Sequence, residues 1–317
     1  MPRALIVVIE GAQTLDVTGP AEVFAMAETK TGVRAYDVRF VASFPGEART
    51  TSGATLKTVG LPRPLSTDTV IVSGGPEAAI VAALSDARLA TWLRRAVAVG
   101  ARVASVCSGA FVLAHAGILD GLRAATHWSG TDRLATFRPA VTVDRDAIYV
   151  REGRVWTSAG VTTGIDMALA MVEDDHGRSI TDHIAARLVL YVRRPGFQSQ
   201  WSEALVAQVD DPDPLALVAR RAKTQLARLD VPRLARLAGM SVRTLHRRCS
   251  ETMRTTPARF LARLRVEHAR TLLTTSTRPV KRVAIDSGFG NPVRMRRAFV
   301  KELGLGPREV RLLFDRP

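Results

Sequence analysis

Leu234-Ala-Arg-Leu-Ala-Gly-Met-Ser-Val-Arg-Thr-Leu-His-Arg-Arg-Cys-Ser250 reads as a short helix, a glycine-containing turn, a serine N-cap and a second helix. Fifty residues on, the pattern returns: Leu245-x-Arg247-x-Cys249 recurs as Met295-x-Arg297-x-Phe299, and Thr-Pro at 256–257 as Gly-Pro at 306–307. The second copy opens with Val283-Ala-Ile-Asp-Ser-Gly-Phe-Gly-Asn291 and carries one extra residue in its turn. Such a repeat predicts two helix-turn-helix units. Between them, Pro257–Thr274 is long enough for a helix of about 25 Å at 1.5 Å per residue. A helix of that length can hold two recognition helices in successive major grooves, roughly 34 Å apart on one face of a duplex.

The charge falls in the same place. The formal net charge is +15. Residues 1–211 hold 21 Lys+Arg and 22 Asp+Glu, whereas residues 212–317 hold 24 Lys+Arg and 8 Asp+Glu, a net of +16. Excess positive charge segregated into one part of the chain points to a polyanionic partner. On the first recognition helix, Ser241–Ser250, Leu245 is expected in the core, which leaves Arg243, His246 and Arg247 on the outward face at i, i+3 and i+4.

These residues resemble the AraC/XylS family of bacterial regulators, whose DNA-binding module has this double plan. The resemblance covers about 100 residues and is carried by the two copies, by Ala-Ile-Asp-Ser-Gly-Phe at 284–289, and by Arg-Ala-Phe-x-Lys-Glu-Leu-Gly-x-x-Pro at 297–307. It implies that Arg243, His246 and Arg247 read bases, with Thr244 beside them, and that Val293, Arg294 and Arg297 do so in the second unit, with Arg296 at a phosphate. Arginine suits bidentate recognition of guanine O6 and N7. The other reading is that several of these arginines touch only the sugar-phosphate backbone. Two positions depart from the family: Cys249 stands where phenylalanine is usual. Arg254 stands where a glycine normally follows the recognition helix, matched by Gly304 in the second copy. If that turn needs φ > 0, Arg254 costs about 1 kcal/mol of left-handed strain.

Upstream, short apolar strands alternate with helices. Arg3–Ile9, Val38–Ala42, Asp68–Ser73 and Arg102–Val106 read as strands, and Pro20–Thr29 and Ala87–Val99 as helices. This is the pattern of a parallel sheet with helices on both faces. A hairpin is expected between Val141 and Thr157 around Glu-Gly at 152–153, then helices at Gly164–Asp175 and Ile180–Val192. Val106-Cys107-Ser108-Gly109 leaves a buried strand and opens a helix. Such an elbow projects its residue from the sheet edge beside a helix N-terminus, where dipole and free amides are expected to lower the thiol pKa. Gly74-Gly75 ends another strand, and Asp16 lies in the loop after the first.

This half resembles the PfpI-type branch of the class I glutamine amidotransferase-like superfamily, over about 190 residues. Gly11-Ala-Gln-Thr-Leu-Asp16, Cys107 and Thr126-His127 match its pocket positions. Taken whole, the chain resembles GlxA-type regulators. That implies a flavodoxin-like, doubly wound α/β domain at 1–194 for ligand sensing and dimerisation, a linker at 195–212, and an all-α DNA-binding domain at 213–317 opened by Asp213 and Pro214. The pocket would comprise Asp16, Gly75, Cys107, Ser108 and His127. Three readings of it stay open: a sensing site, a vestigial elbow, or an active one with the Gly75 and Ser108 amides stabilising negative charge. The last corresponds to a PfpI-type cysteine hydrolase or an isonitrile-hydratase-like enzyme with a nucleic-acid tether; Ser108, where proteases of the branch have histidine, leans toward the hydratases.

The remaining features point to structure. His115 is expected to be packed, Glu173–His176 to be a solvated helix end, His183 to lie on the surface, and Trp92 and Trp156 to pack. No cofactor, metal site or phosphate loop is expected. The apolar run Leu5–Ile9 is too short to cross a bilayer, the start Met-Pro-Arg has no signal-peptide plan, and Cys107 and Cys249 fall in different domains. The expectation is a cytoplasmic, nucleoid-associated homodimer whose partners are double-stranded promoter DNA and a small effector.

Overall fold

The apolar runs of the first half become the middle of a sheet in the computed structural model, which describes residues 1–29, 31–190, 194, 196, 200, 226–253, 255–303 and 306–314. Its strands are β1 (Arg3–Val7), β2 (Asp37–Ala42), β3 (Gly46–Arg49), β4 (Thr55–Gly60), β5 (Thr69–Val72), β6 (Arg102–Val106), β7 (Arg123–Ala124), β8 (Thr142–Val143), β9 (Tyr149–Glu152) and β10 (Val155–Ser158). Eight of them run in the order β3-β4-β2-β1-β5-β6-β10-β9. The pairs from β4 through β10 are parallel, and the two edge pairs are antiparallel. Every residue of β5 and β6 is buried, as a sheet covered on both faces requires.

The first unit, Met1–Gln200, has helices α1 (Thr14–Met26), α2 (Glu77–Leu84), α3 (Ala87–Ala98), α4 (Gly109–His115), α5 (Thr131–Phe137), α6 (Thr163–His176) and α7 (Arg178–Arg187). α1 and α7 pack on α6, while α2 and α3 pack on α4, giving two helical groups for a doubly wound sheet. The chain steps from β1 to β2 on one side, and β5 then pairs on the other side of β1. Strand order therefore reverses at β1, and a crevice opens beyond the C-terminal ends of the strands there.

Several boundaries differ from expectation for physical reasons. α1 begins at Thr14 and carries Pro20 inside it, so Asp16 sits in the first helical turn rather than in a loop. The Gln13 N–H donates to Gly74 O at 2.9 Å, and the Thr14 hydroxyl bonds Thr50 and Ser52 at 2.9 and 2.8 Å. These contacts nucleate the helix before the proline. α7 stops at Arg187, and Val189 is left-handed at φ 53°. His115 is exposed at the end of α4, not packed. Asp175 is no solvated terminus: it binds Arg102 at 2.5 Å and accepts the Tyr36 hydroxyl at 2.5 Å. Burial works against its charge, but these partners together hold its pKa below the usual value. The β3–β4 hairpin went unread because its alternation is polar. Trp92 and Trp156 are buried, and His183 is exposed.

The second unit, Trp201–Pro317, is helical where described: α8 (Val231–Leu237), α9 (Val242–Met253), α10 (Pro257–Thr275), α11 (Val280–Asp286), α12 (Pro292–Leu303) and α13 (Pro307–Phe314). α10 packs against α8, α9, α11, α12 and α13. Its 19 residues reach about 28 Å at 1.5 Å each. Leu245 and Cys249 are fully buried with Leu234, Phe260, Leu261 and Leu264, so the smaller Cys249 completes the first core in place of an aromatic ring. Met295 and Phe299 are the buried equivalents in the second unit. Arg254, Gly304, Asp213, Pro214 and most of the 195–212 stretch lie outside the described residues.

The two turn glycines differ. Gly239 (φ 65°) has open space where a side chain would go, whereas a Cβ on Gly288 (φ 81°) would lie 2.3 Å from Leu226 O and 2.8 Å from Arg265 Nε. Gly239→Ala should therefore lower stability by only about 1 kcal/mol, the cost of the left-handed conformation. Gly288→Ala should cost at least twice as much, read as the shift in the denaturant midpoint of this unit.

Candidate functional site

Both recognition helices start on a side-chain cap. Ser241 Oγ accepts the Thr244 N–H at 3.1 Å ahead of α9, and Asn291 Oδ1 accepts the Arg294 N–H at 2.9 Å ahead of α12. With Leu245 and Cys249 turned inward, Arg243, His246 and Arg247 are exposed together, as is Arg248. On α12 the same division leaves Val293, Arg294, Arg296 and Arg297 exposed over buried Met295 and Phe299. Thr244 is different: it is half-buried and its hydroxyl bonds Ser241 Oγ at 2.9 Å, so it belongs to the cap.

The electrostatics favour an anion on this face. Five acids of the unit have described side chains, and each is engaged by groups other than these arginines. Glu302 binds Arg259 and Arg263 at 3.0 and 3.1 Å, Asp286 binds Arg278 and Arg282 at 3.0 Å, and Glu267 binds Arg270 at 2.8 Å. Asp230 caps α8 through the Arg233 N–H at 2.8 Å, and Glu309 accepts the Gly306 N–H. Among the described residues, no ion pair involves Arg243, Arg247, Arg294, Arg296 or Arg297. Their guanidinium groups keep their charge and their donors for another molecule.

In the first unit, four adjacent parallel strands each deliver one part of a cluster of loops just past their C-terminal ends. After β1 comes Asp16, after β5 Gly74-Gly75, after β6 Cys107-Ser108, and after β10 Gly160-Val161. Cys107 is held left-handed at φ 56°, a conformation that costs a non-glycine residue roughly 1 kcal/mol or more. Its N–H donates to Ser158 O at 3.0 Å, and its carbonyl accepts the Thr126 hydroxyl at 2.9 Å. Glycine is required around it: a Cβ on Gly160 would sit 2.2 Å from Cys107 Cβ, and one on Gly74 would sit 2.8 Å from both Cys107 Cβ and Asp16 Oδ2.

Asp16 is fully buried and accepts the Val161 N–H at 2.7 Å through Oδ1, while Oδ2 accepts no hydrogen bond among the described residues and the carboxyl lies beside Gly74 and the Cys107 thiol. Burial pushes the carboxyl up to about 6, against the pull of the Val161 and Cys107 donors. Burial and the neighbouring Asp16 charge push the Cys107 thiol up to about 12, although the Ser108 N–H favours the thiolate. The elbow does not lower this cysteine's pKa, contrary to the expectation from its helix N-terminus. Desolvation and a like charge outweigh the dipole.

The expected pair of amide donors is also reduced. The Gly75 N–H is donated to Ser108 Oγ at 2.9 Å, and Ser108 Oγ donates back to Gly75 O at 2.8 Å. Of the two amides, that of Ser108 remains beside the sulfur, as does the Ser108 side chain. His127 is half-buried, with Nδ1 engaged by Ser129 at 2.8 Å and its ring tilted on Trp128, and burial lowers its pKa. The residue that joins its strand to the elbow is Thr126. Gly160 and Val161 have no signal in sequence, because each acts through backbone contacts between distant loops, whereas Gly74 and Thr126 are marked only as neighbours of Gly75 and His127. A separate open depression of about 570 Å³, lined by Ser43, Leu61, Arg88, Trp92 and Arg95 among others, includes none of the elbow residues.

A model of the DJ-1/PfpI family matches residues 2–174, and a helix-turn-helix domain model matches residues 234–312. The HTH-type transcriptional regulator GlxA of Rhizobium meliloti (strain 1021) is 32% identical over 226 residues, covering 70% of this chain and 68% of that regulator. Isonitrile hydratase of Pseudomonas putida is 31% identical over 194 residues, covering 59% of this chain and 77% of the hydratase. The crystal structure of a THiJ/PfpI family protein from Pseudomonas syringae superposes with a TM-score of 0.54 at 25% identity, covering 75% of this chain and 90% of that one.

The raised Asp16 pKa has a sign. A carboxyl that binds its proton more tightly when folded removes stability as pH rises from its ordinary 3.8 to about 6, and the loss is complete above that. Asp16→Asn should therefore raise the unfolding free energy at pH 8 by on the order of 2–3 kcal/mol and give no gain at pH 4. Removing the charge should also speed iodoacetamide labelling of Cys107 at pH 8 at least about tenfold, because a lower thiol pKa exposes more thiolate.

Proposed function

The chain belongs to the DJ-1/PfpI family and carries an AraC-type helix-turn-helix domain at its C-terminal end, and from that premise we propose that it is a sequence-specific DNA-binding transcriptional regulator whose elbow pocket senses a small molecule. The carrying observation is the pair of capped recognition helices on one long helix, with exposed arginines that no described carboxylate neutralises. Arg243, His246 and Arg247 read base edges in one major groove, and Val293, Arg294 and Arg297 read the next, with Arg296 on a phosphate. Thr244 contributes by fixing the start of its helix.

In this reading the protein works in the cytoplasm, at the nucleoid, as a homodimer formed through the N-terminal unit. No helix among the described residues is long and apolar enough to cross a membrane. The effector enters at Asp16, Cys107 and Ser108, beside Gly75. A buried carboxyl that titrates near neutrality next to a neutral thiol suits recognition of a ligand better than rapid nucleophilic attack. The likeness to isonitrile hydratase, together with the Asp16–Cys107 pair, supports a second reading as an elbow-cysteine enzyme with a DNA-binding appendage. Multiple turnovers lost in Cys107→Ser would favour it.

Arg243→Ala and Arg247→Ala should each weaken binding to a promoter fragment by roughly 1–3 kcal/mol while the thermal unfolding transition stays unchanged. Fluorescence anisotropy at fixed salt measures this. Wild-type affinity in both variants would contradict the base-reading assignment.

A further inference from the structure

The chain leaves the first unit through three described anchor points, Arg194, Gly196 and Gln200, and two of them land on the loops that build the elbow pocket. Arg194 is held by Asp166 through its backbone N–H (3.0 Å), Nε (3.0 Å) and Nη2 (2.6 Å), and Nη2 also donates to Thr162 Oγ1 at 2.8 Å. Thr162 follows Val161, whose N–H holds Asp16, and precedes Thr163, whose hydroxyl accepts the Gly160 N–H at 2.7 Å. Gly160 in turn lies against Cys107. Gln200 Nε2 donates to Thr126 O at 3.0 Å and Ala147 O at 3.2 Å, and its N–H donates to Asp146 O at 2.8 Å. The Thr126 hydroxyl bonds the carbonyl of Cys107 itself. Gly196 accepts the Tyr149 N–H at 3.2 Å and packs so closely on Tyr149 that a Cβ would fall 2.6 Å from the tyrosine carbonyl.

We infer that Arg194 and Gln200 are the readout of the elbow pocket. A group that displaces Gly160–Val161 or the backbone of Cys107 loosens the Arg194 and Gln200 anchors, and through them the chain leading to the DNA-binding unit. This rests on the reading of the elbow as the sensing site. Asp166 makes the contact a two-state one. Its side chain is 5% exposed, and releasing Arg194 strands a buried carboxyl, so the anchor is either made or fully broken. Arg194 and Gln200 are positioning residues: neither has a described contact with Asp16 or with the Cys107 side chain, and each acts through one intervening loop.

The test uses the full-length chain and Cys107 as the reporter. Iodoacetamide labelling at pH 9, followed by mass spectrometry of the Cys107 peptide, should run at least threefold faster in Arg194→Gln and in Gln200→Ala than in wild type. Arg138→Ala, which breaks the exposed pair with Asp120, should label at the wild-type rate. In the reverse direction, carboxamidomethylated Cys107 should speed hydrogen exchange in the peptides containing 160–163 and 194–200 together, with the β3–β4 hairpin unchanged. Wild-type labelling in both anchor variants, equal acceleration in Arg138→Ala, or faster exchange at 160–163 without 194–200 would each overturn the inference. If Arg194→Gln does not melt cooperatively, Gln200→Ala and the exchange measurement decide alone. The wild-type chain's binding to a promoter fragment separates the two proposals. Specific binding without this coupling removes the readout and leaves the regulator, whereas coupling without specific binding does the reverse.

Discussion

Helix α10 buries one side along its described length. Phe260, Leu261 and Leu264 are buried toward its start, and Val266, Ala269 and Leu273 toward its end. Burial of apolar surface is worth roughly 25 cal/mol per Å², so these six side chains tie α10 to every helix it packs against. The same helix settles the electrostatics. Arg259 and Arg263 draw Glu302 of α12 inward, and Arg270 takes Glu267. Glu302 is thereby used to dock α12 on α10, and Glu267 is held within α10 itself. Two short reading heads on one stiff support, with the positive charge left at the heads, follow from how this single helix is buried.

The first unit is built on the opposite principle. Its pocket gathers features that weaken a fold: a left-handed cysteine, a buried carboxyl, a left-handed valine at φ 50°, and backbones pressed together at Gly74 and Gly160. Each costs on the order of 1–3 kcal/mol and persists only where the surroundings over-determine it. Here the surroundings are four parallel strands with wholly or largely buried side chains, which fix the four loops at the switch in strand order. Small displacements at such a site move packed backbone rather than mobile side chains. Under the proposed sensing role, segments hydrogen-bonded to these loops are the natural carriers of a signal.

What could be read in the sequence was what repeats or alternates. The fifty-residue echo located both helix-turn-helix units, and the helical period put Leu245 inside and Arg243, His246 and Arg247 outside. The apolar strands gave the parallel sheet, and the strand-to-helix step gave Cys107. What escaped was set by contacts between distant segments. α1 starts at Thr14 because Gly74, Thr50 and Ser52 hold it there. The Cys107 pKa rises because the thiol is buried and Asp16 is folded against it, and the Gly75 amide is lost to Ser108. Spacing alone also does not show that the Thr244 hydroxyl bonds the Ser241 cap. Neither propensity nor period carries such information.

The central claim is that two helices of one chain read two separate stretches of duplex. Selection of the full-length protein against a random duplex library, followed by sequencing of the bound fraction, tests it most directly. The account predicts, for each protomer, two enriched blocks about one helical turn apart, centred roughly 10 base pairs from one another and separated by tolerant positions. A bound fraction with the base composition of the input library, or a single enriched block, would contradict it.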